Sequence, residues 1–250
     1  MIRQVRLFLC AVQFLTRVPV PALPGFEEEW ITRSARYFAL VGQMVGGFAA
    51  AVLLLASDVW SGAVPVILAL AAGILITGAF HEDGLADTVD GLGGGRDAAH
   101  RLAIMKDSRI GTYGALALIV AIGLKAAALG AFTAATAALL LLASHGGGRA
   151  AAVAVMRALT YAGDPRTSKI KPVPAGVTGG EVSLALLLGA WPFFLLPAPL
   201  ALAGLAGGAV LAVLLALAAR RLVGGYTGDI LGAAEQVFEV GFLLGAAAVL

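Results

Sequence analysis

The chain has 250 residues, of which 60% are hydrophobic and only 13% are charged, and its mean hydropathy is +0.94. Soluble domains carry roughly 25% charged residues. This composition therefore excludes an ordinary water-soluble protein and indicates a single integral membrane domain, residues 1–250, in a lipid bilayer. The net charge of +2 is small and the basic residues are scattered, so nothing indicates nucleic acid as a partner.

The first 36 residues form an N-terminal segment that begins with an apolar stretch between basic ends. A secretory signal would look similar, but Gln4 and Gln13 interrupt the stretch, Arg17 closes it, and no A-x-A-like cleavage site follows. We therefore expect residues 1–36 to lie at the membrane interface and to begin with an amphipathic helix.

Apolar stretches of nearly membrane-spanning length follow one another along the rest of the chain. They predict spans at about 38–56, 63–80, 113–131, 134–160, 183–198, 201–219 and 230–250. His145-Gly146-Gly147-Gly148-Arg149 interrupts the fourth, where the glycines either break the helix or let another backbone approach. The predicted fold class is all-α, a polytopic membrane helix bundle with about six to eight transmembrane helices.

Lysine and arginine residues segregate to one side of this topology. They precede the first span, lie between the second and third, end the fourth and precede the last, whereas the loops near 57–62, 131–134 and 198–200 contain none. The positive-inside rule places the basic side in the cytoplasm. Lys125 falls well inside a predicted span, either as a snorkelling or partnered lysine or as a functional one.

The most informative stretch follows the second predicted span and begins at His81. If it is helical, Asp83, Asp87 and Asp90 lie at i, i+4 and i+7, within an arc of about 60°. Three like charges on one stripe repel each other, and a hard cation with oxygen ligands, such as Mg²⁺, would remove that repulsion. The alternative is a solvated acidic turn, but ionisable groups at membrane depth are usually functional. His81 either caps this helix or takes part in catalysis.

A second acidic feature opens the last predicted span. Asp229 follows a glycine-rich turn and is either the N-cap of that helix or a further metal ligand. Glu235 and Glu239 lie about 120° and 80° away from Asp229 on an ideal helix, so they are weaker candidates for the same site.

Basic residues beside the acidic helix are candidate phosphate ligands. Glycines 93–95 would expose backbone N–H groups, and Lys106 and Arg109 share a short loop with Asp107. Each single cation is explained equally well as a topology signal. Weaker candidates are Arg149, Lys169 and Lys171. Residues 81–111 are thus predicted to form a cytoplasmic active-site segment.

Four blocks of the sequence resemble one known family. They are FLTRVPVP at 14–21, HEDGLADTVDGLGGG at 81–95, MKDSRIGTYG at 105–114 and GGYTGDILGAAEQ at 224–236. In order and spacing they are similar to cobalamin synthase, also called adenosylcobinamide-GDP ribazoletransferase. The acidic block is the most specific of the four, and residues 115–220 add mainly hydropathy.

The resemblance implies a reaction and a role for each residue. Members of this family join adenosylcobinamide-GDP to α-ribazole or its 5′-phosphate and release GMP, in the final stage of cobalamin biosynthesis. The implied Mg²⁺ ligands are Glu82, Asp83, Asp87, Asp90 and Asp229. Asp90, or else Asp87, would accept the proton of the attacking ribose hydroxyl. The expected phosphate ligands are Lys106, Arg109, His81 and Arg149.

We expect the chain to lie in the cytoplasmic (inner) membrane of a bacterium or archaeon. The positive-inside rule predicts that the active site faces the cytoplasm, because the acidic stretch lies on the basic side. A homo-oligomer, or a complex with other enzymes of the cobalamin pathway, is compatible with the sequence.

Two other classes of protein share some of these features. A CDP-alcohol phosphotransferase of phospholipid synthesis also uses an aspartate-rich membrane helix, but its D-G-x-x-A-R and G-x-x-x-D-x-x-x-D pattern does not follow Asp90-Gly91. A cation-coupled transporter would place its carboxylates near mid-bilayer, often with inverted repeats. The sequence shows no convincing repeat and places the acidic stretch at the edge of a span.

Overall fold

A computed structural model describes residues 2–163 and 176–250, and within these ranges the chain forms a helix bundle without strands. In chain order the helices are α1 (Ile2–Leu15), α2 (Glu29–Ser34), α3 (Phe38–Ser57), α4 (Val64–Thr77), α5 (Phe80–Gly94), α6 (Ala98–Met105), α7 (Thr112–Gly130), α8 (Ala134–Ala158), α9 (Gly179–Ala190), α10 (Ala198–Val223) and α11 (Gly228–Ala247). Short 3₁₀ segments, Ala35–Tyr37 and Trp191–Leu195, follow α2 and α9. The predicted all-α fold class is confirmed; Lys169 and Lys171 lie outside the described residues.

Five helical stretches in the described ranges are long and apolar enough to cross a membrane: α2 with α3, α7, α8, α10 and α11. Helices α4 and α5 pass that test only together, and they are bent by 89° at the break between them. The described chain therefore has five such spans, or six if the bent pair crosses as one, which is the lower limit of the predicted range. The predicted span at 183–198 corresponds to α9, which has only 12 residues, and the 3₁₀ turn after it.

The predicted span at 63–80 ends early because the backbone turns left-handed after Thr77. Gly78 has a φ of +68° and Ala79 a φ of +58°. Glycine adopts this conformation without a steric penalty, whereas alanine does so at a cost. Helix α5 has 15 residues and is about 22 Å long at 1.5 Å per residue, too short to cross a bilayer. Helix α5 by itself is therefore not a membrane-spanning segment.

Helix α8 runs unbroken through the three glycines that interrupt its hydropathy. A Cβ added at Gly146 would lie 2.8 Å from Gln43 Cγ in α3, and one at Gly148 would lie 3.0 Å from Glu235 Cγ in α11. The glycines thus serve close approach of neighbouring helices, which is the second of the two predicted alternatives.

The N-terminal helix packs along the bundle through one apolar face. Ala11, Val12 and Leu15 of α1 are buried against Phe38 and Val41 of α3. At its C-terminal end, the backbone N–H of Arg17 donates to the Ile76 carbonyl in α4 at 2.7 Å. Residues after α1 are therefore anchored directly beside the bend between α4 and α5.

Candidate functional site

Helices α5 and α11 meet at their N-terminal ends through two glycines. A Cβ added at Gly84 would lie 2.8 Å from the Asp229 carbonyl oxygen and 3.2 Å from Gly232 Cα. This contact brings Asp229 beside the predicted acidic helix. We call Asp83, Asp87 and Asp229 the acidic cluster.

The charges of the acidic cluster act on one another. The pKa of Asp87 is raised from its ordinary value of 3.8 to about 7, first by burial and then by the negative charges of Asp83, Asp229 and Asp90. Within the described chain, the Asp83 and Asp87 side chains make no ion pair or hydrogen bond. The arrangement therefore carries uncompensated negative charge that a cation would relieve.

Asp229 does not cap its helix, because Thr227 takes that position and its hydroxyl accepts the Ile230 N–H at 3.3 Å. The Thr227 hydroxyl also donates to Asp229 Oδ2 at 3.3 Å. The Lys106 ammonium acts electrostatically on Asp229, so the predicted basic loop reaches the acidic cluster through this lysine.

The Asp90 side chain contacts the start of α7, whereas the acidic cluster lies where α5 meets α11. Its carboxylate accepts the backbone N–H of Gly111 at 2.7 Å and of Gly114 at 2.8 Å, and the side chain is buried. These groups belong to the first turn of α7, whose own N-cap residue supplies no side-chain bond. Asp90 thus caps α7 from α5. Its charge still acts on Asp87, and its role as a metal ligand stays a prediction.

The acidic cluster fits a hard cation as an open site and not as a closed cage. The three carboxylates do not all bring an oxygen atom within 4.8 Å of the other two in the described structure. Mg²⁺ is commonly held by one or two carboxylates together with substrate phosphates and water. The oxygen-only donors and the crowded negative charge around Asp87 suit such a shared ion.

A second polar group fills the interior of the bundle where α5, α7, α8 and α11 meet. We call it the buried ionic cluster; its members are His81, Glu82, Lys125, His145, Arg149, Glu235, Gln236 and Glu239. Most of these side chains are less than 10% exposed. Charged groups at this depth are costly unless they are paired.

Glu239 lies at the centre of one half of the buried ionic cluster. It accepts Lys125 Nζ from α7 at 2.5 Å and lies 2.5 Å from His145 Nδ1 of α8. Arg149 Nη1 is 3.5 Å from the same carboxylate. Lys125 also donates to Gln236 at 2.7 Å. Of the alternatives for Lys125, the partnered lysine is the one present.

Glu235 organises the other half and connects it to α5. Its carboxylate pairs with Arg149 and lies 3.4 Å from His81 Nδ1. Gln236 donates to Glu82 Oε1 at 3.1 Å, while Glu82 Oε2 is buried without a hydrogen-bond partner. Glu82 therefore joins the buried ionic cluster although it is adjacent in sequence to Asp83.

Three members of this cluster, His145, Glu235 and Glu239, bring possible metal-ligand atoms within 4.8 Å of one another. Arg149 and Lys125 already contact the same two carboxylates. The positive charge that a metal would supply is thus provided by side chains, and we interpret the cluster as structural.

The four predicted phosphate ligands do not all lie at the acidic cluster. Arg149 is 2% exposed and His81 4%, and both contact Glu235, so neither guanidinium nor imidazole faces the acidic cluster. Arg109 is exposed, and its guanidinium donates three hydrogen bonds to the Asp107 carboxylate, the shortest at 2.6 Å. This pairing lowers the pKa of Asp107 to about 2. Of the four, Lys106 is the one whose charge acts on the acidic cluster, through Asp229.

The buried ionic cluster could have been predicted from the sequence, although helical periodicity relative to Asp229 does not indicate it. Glu235 and Glu239 do not share the helix face of Asp229, and that difference turns their side chains into the bundle interior. Lys125 and Arg149 lie within apolar helices and require buried anionic partners. Glu235 and Glu239, in the middle of α11, are the anionic partners of these two cations.

Comparison with known proteins adds a family. The sequence model described as cobalamin-5-phosphate synthase matches residues 7–247. An adenosylcobinamide-GDP ribazoletransferase of Leptothrix cholodnii is 46% identical, over 98% of this chain and 96% of that protein. One of Shewanella amazonensis is 42% identical, over 95% of this chain and 93% of that protein. No solved structure matches the chain.

Proposed function

The chain belongs to the cobalamin-5-phosphate synthase family, and from that premise we propose that it joins adenosylcobinamide-GDP to α-ribazole or its 5′-phosphate and releases GMP. The observation that carries this proposal is the meeting of α5 and α11, which brings Asp229 beside Asp83 and Asp87. The substrates are inferred from the names of the relatives, and the acidic cluster is the proposed binding site for the diphosphate.

The reaction transfers the phosphoryl group that carries cobinamide. A ribose hydroxyl oxygen of α-ribazole forms a new bond to phosphorus, the diphosphate bond to GMP breaks, and the hydroxyl proton passes to a base. GMP leaves with the electron pair of the broken bond. The chain must therefore hold the diphosphate, orient the hydroxyl and accept one proton.

We propose Asp83, Asp87 and Asp229 as the residues that hold Mg²⁺. When bound, the ion would neutralise charge on the diphosphate and orient it. Glu82 contributes less, because it accepts a hydrogen bond from Gln236 in the buried ionic cluster. Lys106 adds positive charge at the same end of the bundle.

As proton acceptor, Asp87 suits the reaction better than Asp90. Both Asp90 oxygens already accept backbone N–H groups of α7, so its carboxylate is committed to capping that helix. Asp87 accepts no hydrogen bond in the described chain, so a carboxylate oxygen of Asp87 that does not hold the ion can accept the proton.

We further propose that this end of the bundle faces the cytoplasm across the inner membrane. The basic residues that flank the acidic cluster support this orientation through the positive-inside rule. Substrates made in the cytoplasm would then reach the site without crossing the bilayer.

The test incubates purified protein in dodecyl maltoside with adenosylcobinamide-GDP, α-ribazole and Mg²⁺, and measures GMP and the cobalamin product by chromatography. We expect both products in equal amounts, and a loss of at least about 100-fold in kcat for Asp87→Asn. Asp58→Asn, an exposed aspartate in the loop between α3 and α4, is the control. No product under conditions in which a relative is active would refute the proposal.

A further inference from the structure

A polar cleft lies between the end of α1 and the bend that joins α4 to α5. Its volume is about 400 Å³, and its lining includes Gln13, Phe14, Arg17, Phe80 and Asp83. It opens directly onto the first turn of the acidic helix. A cleft of this size is within the range of small-molecule sites.

The backbone holds Arg17 in this cleft, and its guanidinium has no partner in the described part of the chain. The Arg17 N–H bonds to Ile76, and the guanidinium lies against Gly78, where a Cβ would collide with it. Gly78 thus serves both the left-handed turn and the seat of Arg17. Among the described residues, the Arg17 side chain makes no ion pair or hydrogen bond, even to Asp83 on the same cleft.

A cation and an anion that share a cleft without pairing leave room for a ligand that needs both. A diphosphate with its divalent cation is such a ligand, because the guanidinium binds phosphate oxygens in a bidentate manner and the carboxylate binds the metal. Asp83 belongs to the acidic cluster, so the cleft is continuous with the proposed reaction site.

The cleft also offers an aromatic surface. Phe80 is 42% exposed, and its ring meets Phe14 edge-to-face with centroids 5.4 Å apart. This contact fixes the Phe80 ring and leaves part of it uncovered. Stacking of a base on an aromatic ring contributes about 1–3 kcal/mol and is common in nucleotide sites.

We propose that this cleft binds the nucleoside diphosphate part of the substrate, with Arg17 as phosphate ligand and Phe80 as stacking surface for the base. The inference rests on the proposed function and assigns one substrate to one side of the acidic cluster. The attacking ribazole then approaches from elsewhere.

Two probes separate the two roles: GDP, which has both base and diphosphate, and inorganic pyrophosphate, which has no base. Binding is measured by equilibrium dialysis with Mg²⁺ present and requires no turnover. Arg17→Ala is expected to raise the dissociation constant about 10- to 100-fold for both probes. Phe80→Leu is expected to raise it about 5- to 150-fold for GDP only. Arg220→Ala and Phe194→Leu, which alter exposed residues outside the cleft, are the controls.

Arg17→Lys is the control for misfolding, because it keeps the positive charge but lacks the planar guanidinium that binds phosphate in a bidentate manner. It should bind both probes with intermediate affinity and melt at the wild-type temperature. Unchanged dissociation constants for Arg17→Ala and Arg17→Lys would overturn the assignment.

A lipid phosphate is the other source of the same chemistry, so binding is compared in dodecyl maltoside, which has no phosphate, and in phosphatidylglycerol nanodiscs. We expect the Arg17→Ala loss in both. A loss confined to nanodiscs would assign Arg17 to lipid headgroups and overturn the proposal. With the natural substrates, Arg17→Ala should raise KM for adenosylcobinamide-GDP and not for α-ribazole. If the wild type is active and Arg17→Ala has the same KM, the proposal that the cleft binds the nucleotide is refuted. If the wild type is inactive, the proposed transferase function is refuted.

Discussion

At the scale of single residues, Asp90 connects the acidic helix to the start of α7. Its two oxygens accept the N–H groups of Gly111 and Gly114, which otherwise have no partner in the first turn of a helix. The glycines leave room for the carboxylate, since a Cβ at either position would collide with it. Asp90 thus positions the loop that contains Lys106 relative to the acidic cluster.

Asp90→Ala tests this capping role. We expect a loss of about 0.5–2 kcal/mol in stability and faster amide hydrogen exchange at residues 111–114, because two donors lose their acceptor. Asp97→Ala, which removes the N-cap of α6, should accelerate exchange in α6 only. Unchanged exchange at 111–114 would show that Asp90 is not a cap.

The raised pKa of Asp87 predicts a pH-dependent stability. The folded state keeps the Asp87 proton up to about pH 7, whereas the unfolded chain loses it near its ordinary pKa of 3.8. The folded state therefore binds more protons between these values, so in EDTA its stability should fall as pH rises from about 4 to 7.

Thermal unfolding in maltoside at pH 5 and pH 8 measures this effect. Mg²⁺ should raise the melting temperature more at pH 8, when Asp87 is ionised, than at pH 5. Asp87→Asn should flatten both responses, and Asp58→Asn should leave them as in the wild type. If Asp87→Asn behaves like the wild type, the aspartates are not crowded as described.

At the scale of helices, the buried ionic cluster fixes how α5, α7, α8 and α11 cross. Lys125 of α7 and His145 of α8 both contact Glu239 of α11. Gln236 of α11 holds Glu82 at the start of α5. These directional contacts set the rotation of α11 and α5, and therefore the faces on which Asp229 and Asp83 emerge.

A double-mutant cycle measures this coupling. Lys125→Met leaves Glu239 short of a buried partner and should cost about 3–5 kcal/mol, as should Glu239→Gln. The double variant should be more stable than the sum of the single losses predicts, because neither charge is left unpaired. The measurement is unfolding in mixed micelles; strictly additive losses would show that the two residues do not interact.

At the scale of the whole molecule, the acidic cluster and the basic loops occupy one end of the bundle. We expect this end to be cytoplasmic, and single-cysteine labelling checks it. In a Cys10→Ser background, Ser61→Cys between α3 and α4 should react with an impermeant maleimide in intact cells. Arg220→Cys at the end of α10 should react only after the membrane is opened. The reverse pattern would contradict the orientation.

Hydropathy predicted the long helices well because membrane spans are set by length and composition. It missed the bend at Gly78 and Ala79, since a left-handed φ leaves no trace in mean hydropathy. It also extended α9, because the residues after Ala190 are apolar but contain prolines. Helical periodicity placed Asp83, Asp87 and Asp90 on one stripe, but the capping of α7 depends on a contact across more than 20 residues, which periodicity does not contain.

The central claim is that α5 and α11 together hold one divalent cation beside a diphosphate. Mn²⁺ in place of Mg²⁺, with GDP present, permits a direct count of bound metal by electron paramagnetic resonance of the purified protein. We predict one bound Mn²⁺ per chain, with binding weakened at least about tenfold in both Asp87→Asn and Asp229→Asn and unchanged in Asp58→Asn. Equal Mn²⁺ binding by wild type, Asp87→Asn and Asp229→Asn would contradict the account.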